Sequence, residues 1–338
     1  MGWMRLARKS AWAALAAAAL LGACTPVTQS ALTPPAPVSP AFAEDRFISF
    51  DGAVLGLTAW TPPEGQEPWA ALVAVHGMGD YANAFGLAGP AFAQAGVAVY
   101  AYDQRGHGRS PQRGLWAGET LLTEDLRTAV RLARARHPEA VVGVLGESMG
   151  AAVAMTAFAG AAPPEADRLI VSAPAVWGWS SLPRPYAATL WLSAHVMPGR
   201  AVTAPRFVQR RITPSDNREA LIAMGLDPLM VFETRIDAVY GLVSLMEKAS
   251  DASPVLPGPV LFLYGARDDI IPPEAALTAA ERLPSQARTA LYDNGYHLLL
   301  RDHQREVVIG DILAFLADPA AALPSGAAPV TALSQRNP

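Results

Sequence analysis

Six short apolar runs recur along the chain, at residues 70–75, 97–102, 141–145, 169–171, 260–264 and 289–292, and their recurrence constrains the fold more than any other feature. Each is too short for a buried helix and lacks the polar alternation of a half-exposed strand, so each reads as a strand buried on both faces. Helical patterns separate them at 85–95, 121–136, 149–161, 274–283 and 304–315. In the second of these, Arg127, Arg131 and Arg134 alternate with Ala129, Val130, Leu132 and Ala133, giving one exposed and one packed face. Strand and helix in regular alternation predict an α/β fold, a mainly parallel sheet covered by helices on both sides. An opening hairpin is expected at 47–50 and 54–60, around Asp51-Gly52.

The third run leads directly into Gly146-Glu147-Ser148-Met149-Gly150, and a small-residue stretch follows from 151 to 162. Strand, sharp turn and helix in this order are the layout of a nucleophile elbow, in which flanking glycines let backbones pass closely while the turn strains the serine. The hydroxyl is then held at a helix N-terminus, whose dipole favours developing negative charge.

A serine hydroxyl needs a base and an orienting carboxylate. In this layout the chain order is serine, acid, histidine. His297, in the turn Asp293-Asn294-Gly295-Tyr296-His297 after the last run, is the candidate base; His303, at the start of the last helix, reads as a surface residue, and His195 lies in a different region. Asp268 and Asp269 both follow the penultimate run and cannot both point inward; the pattern Gly-x-x-Asp-x-x-x-Pro favours Asp268. Oxyanion donors are expected from the backbone N–H groups of Met149, next after the serine, and of Met78, in the glycine-containing turn His76-Gly77-Met78-Gly79. His76 reads as a brace for that turn. Asp103-Gln104-Arg105-Gly106-His107-Gly108-Arg109-Ser110 lacks both the Walker lysine and the third glycine of a dinucleotide fingerprint, so it reads as a structural loop with Asp103 and Arg105 as a possible pair. No metal-ligand spacing and no cofactor fingerprint is present, and neither group is expected.

The N-terminus carries Arg5, Arg8 and Lys9, an apolar stretch from 11 to 21, and Leu21-Gly22-Ala23-Cys24. A basic segment, a short apolar segment and small residues describe a secretory signal over 1–23. The apolar stretch is well below the ~20 residues that span a bilayer. Cys24, the single cysteine, resembles the lipidated cysteine of a bacterial lipobox; cleavage after Ala41-Phe42-Ala43 is the alternative. These features predict a lipid-anchored envelope protein, with an outer-membrane or periplasmic-face address preferred because Thr25, not aspartate, follows the cysteine. Prolines at 34, 35, 37 and 40 predict a tether over 24–44, and 319–338 reads as a disordered tail. The formal net charge of −4 becomes more negative when the signal's three cations leave, and no basic stripe appears, which excludes nucleic acid as the expected partner.

Residues 45–172 and 254–318 therefore form the expected core, interrupted at 173–253 by a stretch without clean strand signals. It carries Trp177, Trp179, Tyr186, Trp191, Phe207, Phe232 and Tyr240, and is too long for a loop, so a helical cap is expected.

The elbow, His76-Gly77-Met78-Gly79-Asp80, Asp103 to Ser110, Gly265-Ala266-Arg267-Asp268 and His297-Leu298-Leu299-Leu300-Arg301-Asp302 together resemble the monoacylglycerol lipase and lysophospholipase branch of the α/β-hydrolase fold, over roughly residues 45–317. The resemblance implies a serine-aminopeptidase-like hydrolase with Ser148, Asp268 and His297 as catalytic residues. It further implies Met78 and Met149 as oxyanion donors, and a lid over an acyl-binding tunnel. Glu147 stands where the family often has histidine, and Ala151 where it often has glycine. The expected reaction is cleavage of carboxylic esters with lipid-like acyl groups. Acyl transfer, amide hydrolysis and polyester degradation by the same residues stay open. So does a non-catalytic, hydrophobe-binding envelope protein. Dehalogenase and epoxide hydrolase chemistry is disfavoured, because those relatives carry aspartate at the position of Ser148.

Overall fold

The computed structural model describes residues 26–203 and 211–335; the signal over 1–23, Cys24 and Phe207 lie outside the described residues. Eleven strands occur among the described residues: β1 (Ala41–Ala43), β2 (Arg46–Ile48), β3 (Val54–Trp60), β4 (Ala70–Val75), β5 (Val97–Tyr102), β6 (Val141–Glu147), β7 (Arg168–Ser172), β8 (Ala201–Val202), β9 (Thr234–Arg235), β10 (Val260–Gly265) and β11 (Arg288–Tyr292). Nine of them form one sheet in the order β1-β2-β3-β5-β4-β6-β7-β10-β11. The six strands from β5 to β11 are parallel, and β1 to β3 join as an antiparallel edge. Every residue of β4, β5 and β10 is buried, as continuous apolar runs require of strands covered on both faces.

The covering helices are α1 (Ala88–Gln94), α2 (Glu119–Arg136), α3 (Met149–Ala159), α4 (Arg184–Val196), α5 (Arg218–Leu226), α6 (Ile236–Ala252), α7 (Pro273–Glu281) and α8 (Arg305–Ala317). One apolar core unites α2, α3, α6 and α7 against the sheet, and a second lies on the opposite face under α1 and α8. In α2 the buried stripe Leu122, Leu126, Ala129, Val130 and Ala133 follows the helical period. The helix expected over 85–95 is shorter, because the chain first makes a 3-10 turn at Ala82–Phe85 and is redirected at Gly86.

Parallel strands put their C-terminal ends on one edge. The ends of β4, β6, β10 and β11 therefore present their following loops together, with Val75 opposite Gly146 and Gly265 opposite Tyr292. Over this edge lie α4, α5 and the first half of α6, together with the two-residue ribbon β8–β9. The second half of α6 ties the cap to the core: Leu245, Ala249 and Ala252 are buried on one stripe, while Met246 beside them borders the space under the cap.

Both ends differ from expectation. Instead of a free tether up to residue 44, the Gln29 N–H donates to Trp116 O at 2.9 Å and the Leu32 N–H to Asp51 Oδ2 at 2.8 Å. Residues 41–43 pair as β1, and Phe42 stacks on Tyr100. Prolines stop that segment from forming a helix, but they do not stop it from docking through its other residues. At the other end, the stretch expected to be disordered returns to the sheet. The Leu291 N–H donates to Ala328 O at 2.8 Å, Ser325 Oγ to Asp311 Oδ2 at 2.5 Å, and Val330, fully buried, begins a 3-10 turn at Val330–Gln335.

The loop after β5 is also paired differently. Arg105 is buried between Asp51 and Asp125, at 2.8 and 2.7 Å, while Asp103 pairs with Arg109 at 2.8 Å. Arg105 thereby ties the β2–β3 turn to α2, a contact between residues too distant in sequence for local pattern to reveal.

Candidate active site

Ser148 sits between β6 and α3 with φ 53° and ψ −114°, a conformation that costs a non-glycine residue roughly 1–3 kcal/mol. The surroundings hold it there: its N–H donates to Ser172 O at 3.0 Å, and its carbonyl accepts from Ala152 and Ala175 at 3.1 Å each. The flanking glycines are required by close approach. A Cβ on Gly150 would overlap the carbonyl oxygen of Val75, and one on Gly146 would overlap the backbone of Ala151. The serine itself is partly exposed, with Gly77 of the neighbouring loop lying against it.

His297 and Asp268 arrive from the loops after β11 and β10. The imidazole Nδ1 donates to Asp268 Oδ2 at 2.8 Å, and both side chains are buried. The other carboxylate oxygen, Oδ1, accepts the N–H groups of Ile270 and Ile271 at 2.7 and 2.9 Å, which fixes the carboxylate plane. Burial alone would lower the basicity of His297, but Asp268 overrides it through charge and hydrogen bond, aided by Glu147 and Asp302, so the imidazolium persists above the usual histidine range. Asp269 points outward, accepting the Thr213 N–H at 3.4 Å. His303 is exposed, and His195 stacks on Trp191 in the cap.

Met78 and Met149 border the same cavity as Ser148 and His297. The Met78 turn is braced by His76, fully buried, whose Nδ1–H donates to Gly77 O at 2.7 Å while Nε2 accepts the Gln104 N–H at 2.9 Å. That pattern uses both ring nitrogens of a neutral imidazole, and burial holds His76 below the usual histidine range. The elbow, the base, the acid and the two amide-bearing residues are thus brought to one sheet edge.

The cavity measures about 370 Å3, and its walls are mostly apolar away from Ser148, His297, Glu147 and Asp80. From the cap come Trp177, Met224, Met230, Leu242 and Met246; from the core come Ile270, Ile271 and Leu298. Of the cap aromatics, Trp177 alone among the described ones borders the cavity. Trp179 packs on Tyr240 and donates to Ser244 Oγ, while Tyr186, Trp191 and Phe232 face solvent. Methionines were the signal missed: five of the nine in the chain border this space. Unbranched and polarizable, they line irregular apolar sites that accept varied shapes.

The cap is stitched to the loops that carry the site. The Leu298 N–H donates to Pro214 O, Ser215 Oγ to Asp302 Oδ1, and the Val231 N–H to Gly79 O, at 2.9, 2.6 and 2.7 Å. Arg301, four residues beyond His297, pairs with Asp80 at 2.5 Å, joining the histidine loop to the Met78 loop. Among the described residues, no group of three or more His, Cys, Asp or Glu side chains is placed to hold a metal ion.

A mostly parallel sheet with a serine elbow after β6, an acid after β10 and a histidine after β11 is the α/β-hydrolase fold. Residues 66–304 match the model of the hydrolase family described as serine aminopeptidase, S33, and the chain belongs to that family. It is 26% identical over 283 residues to a monoacylglycerol lipase of Mycolicibacterium smegmatis, covering 82% of this chain and 98% of that protein. With monoglyceride lipase of Rattus norvegicus it shares 25% over 266 residues, covering 76% and 84%. A soluble variant of Saccharomyces cerevisiae monoglyceride lipase, solved with a substrate analogue, superposes with a TM-score of 0.70 at 18% identity, covering 86% of this chain and 100% of that one.

Proposed function

We propose that the protein is a serine hydrolase of the monoacylglycerol lipase type, cleaving carboxylic esters of lipid-like acyl groups through an acyl-enzyme on Ser148. The observation that carries this reading is a strained, partly exposed serine sharing an apolar cavity with a histidine that is hydrogen-bonded to a buried aspartate. Ser148 Oγ attacks the ester carbonyl as its proton passes to His297 Nε2. Asp268 keeps the proton on Nδ1 and stabilises the imidazolium. The N–H groups of Met78 and Met149 receive the oxyanion. His297 then protonates the departing alcohol, and by activating a water it releases the acid and restores the serine. A fluorophosphonate probe is expected to add one label, on Ser148; a label elsewhere, or none, sinks the mechanism.

An apolar acyl group is supported by the methionine, leucine and isoleucine walls, which offer dispersion contact and few hydrogen bonds. The named activities of the relatives agree with this choice. For the N-terminus, which lies outside the described residues, we propose cleavage before Cys24 and lipidation of that cysteine, placing the enzyme at the cell envelope with an outer-membrane or periplasmic-face address. Cys24→Ser is expected to move the protein from the membrane fraction to the soluble one with ester hydrolysis retained. Unchanged partition with membranes rules the anchor out.

A further inference from the structure

Glu147 ends β6, directly before Ser148, and is buried to 1% exposure. It borders the cavity that Ser148 and His297 share, yet its Oε2 has no hydrogen-bond partner. Neighbouring carboxylates are all engaged. Asp268 holds His297 and two amides, Asp80 holds Arg301 and the Tyr81 N–H, and Asp302 holds Ser215 and the Tyr296 N–H. A buried carboxyl left unpaired loses its hydration without compensation, so its ionisation depends on the charges around it.

Those charges come from two loops. The loop after β4 contributes Asp80, and the loop after β11 contributes His297, Arg301 and Asp302. Arg301 spends its donors on Asp80, on Ala84 O and on Met224 Sδ. Asp80 and Asp302 are acceptors held by other donors. His297 is therefore the member of this group whose charge changes during the reaction.

We propose that Glu147 is a positioning residue for His297: with the buried carboxyl ionised and the imidazole neutral, the proton that leaves Ser148 arrives on His297, and the carboxylate bordering the same cavity stabilises the imidazolium so formed. The inference rests on the serine-hydrolase reading above. The protons balance: the one that leaves Ser148 Oγ is the one the imidazolium carries, it passes on to the departing alcohol, and Glu147 stays a carboxylate throughout. Burial, reinforced by Asp80 and Asp302 against Arg301 and His297, pushes the Glu147 carboxyl up to about 7. Glu147 is in turn among the groups that raise His297. Two groups interacting in the same range titrate as a pair, with macroscopic steps that belong to neither alone.

The pH dependence of fluorophosphonate labelling at Ser148 tests this without requiring a known substrate. Base activation by His297 needs a neutral imidazole, so labelling falls as pH drops through the pair's titration. In Glu147→Gln the shape is kept and the anion removed. The acid limb is expected to move down by about one pH unit, and the plateau rate to fall about tenfold, since one pKa unit and one decade of rate are the same free energy. A limb that stays in place overturns the proposal, because a merely structural carboxyl would leave it unmoved. Should Glu147→Gln fail to fold, the wild-type protein still decides. The His297 ring resonance, assigned by its loss in His297→Gln, is expected to titrate in two steps, and a single-site curve overturns the proposal. Wild-type protein that never labels sinks the hydrolase reading and this proposal with it, whereas labelling with an unmoved limb sinks this proposal alone.

Discussion

In the core, the strands that deliver the site are buried at every residue in β4 and β10, whereas in the cap α4 buries Ala194 alone and α5 buries nothing. The two regions are held by different forces. Core strands are fixed by ladder hydrogen bonds and apolar burial on both faces, so the loops at their ends have little freedom. The cap is held instead by hydrogen bonds at its margins, among them those to Leu298, Asp302, Gly79, Tyr81 and Arg301, and by the packing of α6. The contrast teaches where each property resides. Chemistry is built on the rigid edge, and the shape of the acyl site is built on the part that can change without disturbing the sheet.

The sharpest break of this contrast lies in the core. Asp268→Asn is expected to lower kcat by about four orders of magnitude, because an amide behind Nδ1 no longer enforces the tautomer that leaves Nε2 free to accept. Asp269→Asn, one residue away and facing solvent, is expected to leave steady-state rates within about twofold. Equal losses in both would mean that the loop, not the carboxylate, matters.

A smaller effect is expected from the cap. Met246 borders the cavity from α6 and is 7% exposed. Met246→Phe adds bulk there without touching the elbow. Hydrolysis of long-chain esters is expected to fall about tenfold relative to short-chain ones, the scale at which a pocket discriminates a methylene or two. Labelling of Ser148 by a small fluorophosphonate is expected to stay within about twofold. A loss that is uniform across chain lengths would separate this cavity from the acyl group.

The same contrast decided what could be read from sequence. All six buried strands, from 70–75 to 289–292, lie within two residues of where the apolar runs put them, since burial on both faces leaves a continuous apolar signature. Ser148, Asp268 and His297 were legible because turn glycines and strand ends fix their place, and the Asp268 choice needed only one pattern of spacing. Three things were not. Gln29, Leu32 and Ser325 dock through hydrogen bonds to backbone or to Asp51 and Asp311, which carry no hydrophobic period. Arg105 chose Asp51 and Asp125 over its near neighbour Asp103, a consequence of topology alone. Met224, Met230 and Met246 come from different stretches of the chain between 173 and 253, so no single helix face announces them, and of the conspicuous aromatics there Trp177 alone among those described borders the cavity.

The central claim is that an acyl group reaches Ser148 and leaves from it. It is tested most directly by comparing wild type with Ser148→Ala on monoacylglycerols and simple esters of graded chain length. Wild type is expected to hydrolyse them, with a preference for acyl chains long enough to fill the apolar cavity. Ser148→Ala is expected to lose roughly a millionfold across the series, as when a nucleophile is removed from such a site. Comparable hydrolysis by the two proteins, or none by wild type with any ester, would contradict it.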